Sequence, residues 1–218
     1  MTVTPQAVLF DLDGTLVDTA PDLVAALNRV RADDNLEPLG FNEARKHVSH
    51  GSYALVRCAY DYPDESTEFQ ARRDLLLAYY HENVARASRL FDGMESILQK
   101  IESSGRPWGI VTNKPGWLTT PLLRALDLDT RAACVVSGDS TEHAKPHPQP
   151  LLHATNEISV TSDKCLYIGD AERDVQAARA AAMPVVIALY GYLATDDQPQ
   201  AWGADGCIDS PGALAGWL

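Results

Sequence analysis

The chain has 218 residues, of which 45% are hydrophobic and 22% charged, and its 30 Asp and Glu outnumber 18 Lys and Arg to give a formal net charge of −12. This length excludes a chain of many small domains, and this composition excludes extensive disorder. The chain can form one large domain, or a core domain with a second, smaller domain. The acidic balance argues against a nucleic-acid binder, which needs a basic stripe, but permits a small anionic substrate held by a few placed cations.

Other global features predict the compartment. The four cysteines are far apart and form no C-x-x-C pair, which argues against a zinc site or a disulfide framework. The first ten residues lack the basic stretch and long apolar run of a secretory leader. No apolar run approaches the ~20 residues of a membrane span. We therefore expect a cytoplasmic protein that binds neither nucleic acid nor membrane, as a monomer or a homodimer.

Short apolar runs rich in β-branched residues recur along the chain, and none ends in a hairpin turn. Between them lie segments of helical periodicity, such as residues 94–101, whose apolar side chains fall on one face. Buried strands separated by helices predict a parallel sheet covered on both faces, so we expect a three-layer α/β/α core of the Rossmann-like type. The predicted strands are residues 7–10, 108–112, 133–136, 165–168 and 184–189.

One interval breaks this alternation. Residues 17–89 contain no convincing buried strand, but they show helical patterns over residues 22–27, 52–59 and 69–80. We therefore predict a helical cap domain at residues 17–89, inserted into a core made of residues 1–16 and 90–218. Cap motion is expected around Leu16–Asp18 and Leu90–Gly93, because closure would exclude water from a site beneath the cap.

Polar residues follow four of the predicted strands. Ligands in open parallel sheets bind outside the carboxyl ends of the strands, so we expect these residues to converge. Singly, each residue also has an ordinary role, such as turn formation or helix capping. In chain order the residues are Asp11 and Asp13, with Gly14 and Thr15; Thr112 and Asn113; Lys145; and Asp170 and Asp174.

This set of side chains suits phosphoryl chemistry. Several carboxylates in one cleft repel one another unless a cation neutralises them, and oxygen-only ligands favour a hard ion such as Mg²⁺. A lysine and a threonine hydroxyl supply the positive charge and hydrogen bonds that phosphoryl oxygens require. One carboxylate can attack phosphorus, and its neighbour can protonate the leaving oxygen and then activate water.

The sequence D-L-D-G-T after the first strand, Thr112, Lys145-Pro146 and G-D-x-x-x-D resemble the four motifs of the haloacid dehalogenase superfamily of phosphohydrolases. The resemblance covers nearly the whole chain, including the helical insertion. It implies that Asp11 is the nucleophile and Asp13 the general acid and base. It further implies that Thr112 and Lys145 bind the phosphoryl group, and the placement of Asn113 beside Thr112 makes it another candidate phosphate ligand.

The same resemblance implies a magnesium site. Mg²⁺ would be held by Asp11, the backbone carbonyl of Asp13 and Asp170, with Asp174 in support. Dehalogenases of the superfamily lack an acid at the position of Asp13, since a halide leaving group needs no proton. Phosphonate hydrolysis uses a cap lysine, and the predicted cap offers only Lys46. Both comparisons favour a phosphatase.

Two substrates are left open. Residues 18–22 and 111–115 are similar to bacterial phosphoglycolate phosphatases, whereas residues 190–192 and 202–205 are also similar to N-acetylmuramic acid 6-phosphate phosphatases. We expect a Mg²⁺-dependent phosphomonoesterase acting on a small phosphorylated metabolite, most like a phosphoglycolate phosphatase. A phosphosugar mutase is a less favoured alternative, and the complete set of acids disfavours a non-catalytic binding protein.

Substrate choice is expected to lie in the cap loop of residues 45–52, which offers cations, hydroxyls and a flexible Gly. Three charged residues lie next to the strand-end motifs. Glu172 and Arg173 are predicted to face solvent or to pair locally. Lys114 is predicted to lie at the surface or to attract anions. The candidate specificity residues are Arg45, His47, Ser49, His50 and Ser52.

Overall fold

The computed structural model describes residues 4–218, so the first three residues of the predicted core lie outside the described residues. This part of the chain contains eight strands and eight α-helices. The strands are β1 Ala7–Phe10, β2 Val17–Asp18, β3 Arg89–Leu90, β4 Trp108–Val111, β5 Cys134–Val136, β6 Cys165–Gly169, β7 Val185–Ala188 and β8 Gly206–Ile208. The α-helices are α1 Ala20–Asp33, α2 Phe41–Arg45, α3 Gly51–Ala59, α4 Thr67–Glu82, α5 Met94–Ser103, α6 Gly116–Ala125, α7 Gln149–Ile158 and α8 Glu172–Ala180.

Six strands form one sheet in the order β5-β4-β1-β6-β7-β8, and every neighbouring pair is parallel. Five of them match the predicted runs to within one residue at each end. The α/β fold with a parallel sheet is therefore confirmed. Strand β8, a three-residue strand at the sheet edge in which Cys207 is exposed, was not predicted because it has no apolar run of its own.

Both faces of this sheet are covered. Val8 and Phe10 of β1 lie in one apolar cluster, where the Phe10 ring packs edge-on against Trp108 with centroids 6.3 Å apart. Ala7 and Leu9 lie in a second cluster. Successive side chains of a strand point to opposite faces, so the two clusters lie on opposite sides of the sheet. Helix α5 packs in the first cluster and α7 and α8 in the second, which gives the predicted three layers.

Helices α1 to α4 occupy the interval between β2 and β3. These two short strands pair antiparallel, with Val17 opposite Leu90 and Asp18 opposite Arg89. The chain therefore leaves the core and returns to it at neighbouring points. Helices α1 and α4 extend beyond the predicted patterns, and α2 was not predicted from the sequence. In the described residues no α-helix is long and apolar enough to cross a membrane.

Two carboxylates fix the arrangement of this helical segment. Asp34, directly after α1, accepts two hydrogen bonds of 2.7 Å from the Arg72 guanidinium on α4, and these bonds lower the pKa of Asp34. Asp22 in the first turn of α1 is buried and accepts hydrogen bonds from the backbone N–H groups of Ala87 and Ser88. The first contact joins α1 to α4, and the second joins α1 to the segment that leads into β3.

We predict that Gly109→Ala will destabilise the protein by about 1–3 kcal/mol, because overpacking a close-packed core has this cost. Gly109 lies in β4 between Leu9 of β1 and Cys134 of β5, and a Cβ there would overlap the Cys134 thiol. Urea unfolding measures the change. Gly216→Ala is the matched control, since a Cβ at Gly216 would meet nothing within 4 Å. Equal urea midpoints for both variants would contradict the packing argument.

Candidate active site

Asp11 lies where β1 ends, at the centre of the sheet. Its Oδ1 accepts a hydrogen bond of 2.8 Å from the backbone N–H of Leu12 and lies 2.9 Å from the Lys145 ammonium. Burial raises the pKa of Asp11 to about 6, with Lys145 opposing this shift and the nearby Asp174 carboxylate adding to it. Within residues 4–218 both of these contacts fall on Oδ1, and Oδ2 accepts no hydrogen bond.

Asp13 follows two residues later and is held from two sides. Its Oδ1 accepts hydrogen bonds from the Thr19 hydroxyl at 2.5 Å and the Lys114 ammonium at 2.8 Å. The turn between Asp13 and β2 needs Gly14, whose φ is +86° and whose missing Cβ makes room for the Asp170 carboxylate. The D-L-D-G-T segment therefore positions the carboxylates of Asp11 and Asp13 and leaves room for that of Asp170, which follows β6.

Lys145 is the buried cation of the site. Its ammonium lies 2.9 Å from Asp11 and 2.8 Å from Asp174, and it donates to the Tyr167 hydroxyl at 2.7 Å and the Val111 carbonyl at 2.8 Å. Burial by itself lowers the pKa of Lys145, but the two carboxylates outweigh it and the net pKa is raised. Lys145 therefore stays protonated and joins the ends of β1, β4 and β6.

Asp174 has no oxygen left unused. Its Oδ1 accepts hydrogen bonds from Lys145 and from the Tyr167 hydroxyl, and its Oδ2 accepts one of 3.0 Å from the backbone N–H of Ala171. Asp174 thus caps the start of α8 and orients Lys145 at the same time.

Asp170, at the end of β6, is nearly inaccessible to solvent. Its Oδ2 accepts hydrogen bonds from the Ser49 hydroxyl at 2.6 Å and the backbone N–H of Tyr192 at 2.8 Å. Burial raises the pKa of Asp170 to about 7, and the Asp11 and Asp174 carboxylates add to the shift. Ser49 belongs to the helical segment, so this carboxylate is in contact with both parts of the chain.

The carboxylate cluster has the character of a site for a hard cation. One oxygen from each of Asp11, Asp170 and Asp174 lies within 4.8 Å of the others. Mutual repulsion and burial raise the pKa of Asp11 and of Asp170, which a divalent cation would reverse by neutralising the charges. The donors are all oxygens, which is the ligand type that Mg²⁺ prefers. The residues present therefore fit Mg²⁺.

Thr112 and Asn113 end β4 beside Lys145. Thr112 is buried, and its hydroxyl accepts a hydrogen bond from the backbone N–H of Lys114. The Asn113 side chain donates to the Lys145 carbonyl at 2.8 Å and accepts from the Lys145 N–H at 3.0 Å. Asn113 thus holds the backbone of Lys145 in place, while both residues contribute to the wall of the central cavity.

A cavity of about 290 Å³ lies between the strand ends and the helical segment. Of the predicted specificity residues, the structure brings Ser49, His50 and Ser52 to its wall. Arg45 and His47 lie outside the lining of this cavity. The Arg45 guanidinium instead donates to the carbonyls of Tyr190 and Gly191, which docks the helical segment on the core.

The structure overturns the expectation that Arg173 faces solvent or pairs locally. Its guanidinium spans from α8 to the helical segment, where it donates to the Ser49 carbonyl at 2.5 Å and lies 2.8 Å from His50 Nδ1. It also lines the cavity. No local pattern marks this role, because the partners are more than 120 residues away in the sequence.

Lys114 is also more central than the sequence predicted. Its side chain is only 6% exposed, it forms the ion pair with Asp13, and its ammonium lies 4.5 Å from the centre of the Tyr80 ring. Burial lowers the pKa of Lys114, but the Asp13 carboxylate outweighs this and the net pKa is raised. Lys114 directly follows the predicted site residues Thr112 and Asn113, and this position in the sequence could have indicated that it belongs to the site.

Tyr192 links the cluster to the start of the helical segment. Its hydroxyl accepts hydrogen bonds from the backbone N–H groups of Thr19 and Ala20 and donates one to Asp18. Its own N–H bonds to Asp170. The sequence analysis used residues 190–192 for the family resemblance but gave Tyr192 no role.

Known hydrolases and phosphatases are similar to this chain over most of its length. The family described as haloacid dehalogenase-like hydrolase matches residues 8–188. A phosphoglycolate phosphatase of Xanthomonas campestris is 43% identical over 96% of this chain and 95% of its own length. An N-acetylmuramic acid 6-phosphate phosphatase of Pseudomonas aeruginosa is 38% identical over 96% and 92%. A crystal structure of a predicted phosphoglycolate phosphatase from Haemophilus somnus has a TM-score of 0.86 at 27% identity and covers 99% of both chains.

We predict that Tyr192→Phe will lower the free energy of unfolding by about 1–3 kcal/mol, since two backbone N–H groups lose a buried acceptor. Urea unfolding measures the loss. Tyr79→Phe is the matched control, because the Tyr79 hydroxyl also bonds an aspartate, Asp33, but at an exposed position. The control should change little. If Tyr192→Phe behaved like the control, the tyrosine hydroxyl would not be holding the start of α1.

Proposed function

The chain belongs to the haloacid dehalogenase-like hydrolase family, and we propose that it is a Mg²⁺-dependent phosphomonoesterase that acts through an aspartyl-phosphate on Asp11. The observation that carries this proposal is the pair Asp11 and Asp13. Asp11 keeps one carboxylate oxygen available beside the buried Lys145 ammonium. Asp13, two residues later in the chain, is held by hydrogen bonds from Thr19 and Lys114. A nucleophile and a proton carrier are what two-step phosphoryl transfer requires.

In the first step Asp11 Oδ2 attacks phosphorus, and the bond from phosphorus to the ester oxygen breaks. Asp13 gives its proton to the departing oxygen, so that an alcohol leaves. In the second step Asp13 removes a proton from a water molecule, and the water oxygen attacks the phosphorus of the aspartyl-phosphate. Inorganic phosphate is released and Asp11 is a carboxylate again. Thr19 and Lys114 occupy Oδ1 of Asp13, which leaves Oδ2 to hold and transfer the proton.

Lys145 and Thr112 are proposed to bind the phosphoryl oxygens, because a protonated amine and a hydroxyl stabilise the charge of the transition state. Asp174 and Asn113 fix Lys145 by its ammonium and its backbone, respectively. Mg²⁺ would be held by Asp11, the backbone carbonyl of Asp13 and Asp170. When bound, it would neutralise charge on the carboxylates and on the phosphoryl group.

We further propose that residues 17–89 act as a cap over a core of residues 1–16 and 90–218. The paired strands β2 and β3 supply the two connections about which it would move. Two contacts support closure over the site: the Ser49 hydroxyl bonds Asp170, and Arg173 bonds the Ser49 carbonyl. A closed cap would keep bulk water from the phosphoryl group during transfer.

Phosphoglycolate is the proposed substrate. The Xanthomonas relative carries that activity in its name and aligns over nearly all of both chains. The cavity of about 290 Å³ is at the lower end of the ~300–1,000 Å³ range of small-molecule sites, which favours a compact substrate. The named activity of the Pseudomonas relative makes N-acetylmuramic acid 6-phosphate the second candidate.

We predict that Asp11→Asn will lower Mg²⁺-dependent hydrolysis of a phosphomonoester by about 1,000-fold or more, because an amide is a poor nucleophile. Steady-state release of inorganic phosphate measures the rate. Chelation of divalent metal should silence the parent enzyme in the same assay, and added Mg²⁺ should restore it. The control Asp163→Asn changes an exposed aspartate and should keep the parental rate. A parental rate in Asp11→Asn would refute the assigned nucleophile.

We also predict that the parent protein hydrolyses phosphoglycolate with a kcat/KM about tenfold or more above that for N-acetylmuramic acid 6-phosphate, since a small cavity penalises the larger ester. Initial rates with both esters at saturating Mg²⁺ test this. The opposite order would show that the cavity widens for a sugar acid and would favour the second candidate.

A further inference from the structure

Helix α4 turns one face toward the cavity. Arg73, Leu77 and Tyr80 line it, at the i, i+4 and i+7 spacing that places side chains on one face of a helix. Tyr80 contacts Lys114, which pairs with Asp13, so this end of the face lies beside the reacting groups. Arg73 lies seven residues earlier, about 10 Å along the helix axis at 1.5 Å per residue. Arg73 is therefore at the end of the cavity away from Asp13.

Four lysine and arginine side chains line the cavity, and Arg73 and Arg173 are the two that have no carboxylate in ion-pair range among the described residues. Lys145 pairs with carboxylates of the core, Lys114 pairs with Asp13, and Arg173 donates to the Ser49 carbonyl. Within residues 4–218, Arg73 has no carboxylate in ion-pair range. This half-buried positive charge is not neutralised by the part of the chain that the structure describes.

The guanidinium of Arg73 is nevertheless held in place. Its Nε donates a hydrogen bond of 3.0 Å to the Ser52 hydroxyl, and its plane lies over the Tyr53 ring with the central carbon 4.5 Å from the ring centroid. These contacts leave the two terminal nitrogens without a hydrogen-bond acceptor among the described residues. A fixed planar fork with free N–H groups matches a carboxylate in a bidentate arrangement.

A second polar group on the same face lacks a partner. The Tyr80 hydroxyl is buried and has no hydrogen-bond partner in the part of the chain that the structure describes. Buried hydroxyls are nearly always hydrogen-bonded, so an unpaired one in a cavity wall points to a ligand atom as its partner. Arg73 and Tyr80 therefore give the cavity two donors that have no acceptor among the described residues.

We propose that Arg73 binds the carboxylate of the substrate, with Ser52 and Tyr53 orienting its guanidinium and Tyr80 donating to a further substrate oxygen. The proposal rests on the proposed phosphatase function and names the substrate class, a phosphate monoester that also carries a carboxylate. The phosphoryl group binds at the strand ends and the carboxylate binds under α4. Such a carboxylate belongs either to a short hydroxy acid or to a sugar acid, and the experiment below separates the two.

The test uses two matched pairs of esters. Phosphoglycolate is compared with 2-hydroxyethyl phosphate, and N-acetylmuramic acid 6-phosphate with N-acetylglucosamine 6-phosphate; the second member of each pair lacks the carboxylate. In Arg73→Gln, kcat/KM for the preferred carboxylate ester should fall about 10- to 100-fold, the effect of losing a hydrogen-bonded ion pair. Its carboxylate-free partner should change less than about threefold, within the range of an exposed substitution. The pair that shows this discrimination identifies the source of the carboxylate.

Arg57→Gln is the control, because Arg57 is an exposed cap arginine that pairs with Asp64 and lies outside the cavity lining. It should leave all four rates near those of the parent. If Arg73→Gln lowered both members of a pair equally, Arg73 would be a structural support and the proposal would be overturned. Unchanged rates for every ester in Arg73→Gln would overturn it as well.

Binding of the same esters to Asp11→Asn, measured by calorimetry with and without Arg73→Gln, separates this proposal from the proposed function. If Asp11→Asn binds the carboxylate ester more tightly and Arg73→Gln removes this preference, the carboxylate subsite is supported. Absence of turnover in the parent protein would refute the phosphatase function but not this subsite. Equal affinity of Asp11→Asn for the esters with and without a carboxylate would overturn the subsite.

Discussion

The concentration of negative charge around one buried lysine is the constraint that shapes this site. Asp11 and Asp174 both lie within 3 Å of the Lys145 ammonium, and Asp170 joins them in a cluster with little access to solvent. Burial, together with the repulsion among three carboxylates around one ammonium, raises the pKa values of Asp11 and Asp170 toward neutrality. The same imbalance would favour the divalent cation proposed for this site, and that cation would in turn offset the negative charge of a phosphate ester.

Parallel topology is what makes such a cluster possible. The strands β1, β4 and β6 lie side by side, and their carboxyl ends deliver residues that are widely separated in the sequence. Successive strands of a parallel sheet end at one edge, so the geometry follows from the connectivity and does not depend on local turns. Gly14 then completes the packing, because only a residue without a Cβ allows the Asp170 carboxylate so close to the D-L-D-G-T turn.

Sequence reasoning reached the sheet and the strand-end residues because both depend on local signals. An uninterrupted apolar run predicts a buried strand, and a polar residue at its end predicts a place in the site. Arg173, Tyr192 and Arg73 gave no such signal. Each acts through a partner far away in the chain or on another element, so its role exists only after folding. Strand β8 was missed for a related reason, since pairing with β7 stabilises three residues that have little strand character alone.

The hydrogen bonds also couple the position of the helical segment to the chemistry. Tyr192 bonds Asp170 through its N–H and the start of α1 through its hydroxyl, while Thr19 at that start bonds Asp13. A displacement of α1 that breaks the Thr19 contact would leave Lys114 as the remaining partner of Asp13, the carboxylate proposed to carry the proton. Ser49 adds a direct bond from the segment to Asp170. Closure of the proposed cap would therefore be coupled to alignment of both carboxylates, because Thr19 bonds Asp13 and Ser49 bonds Asp170.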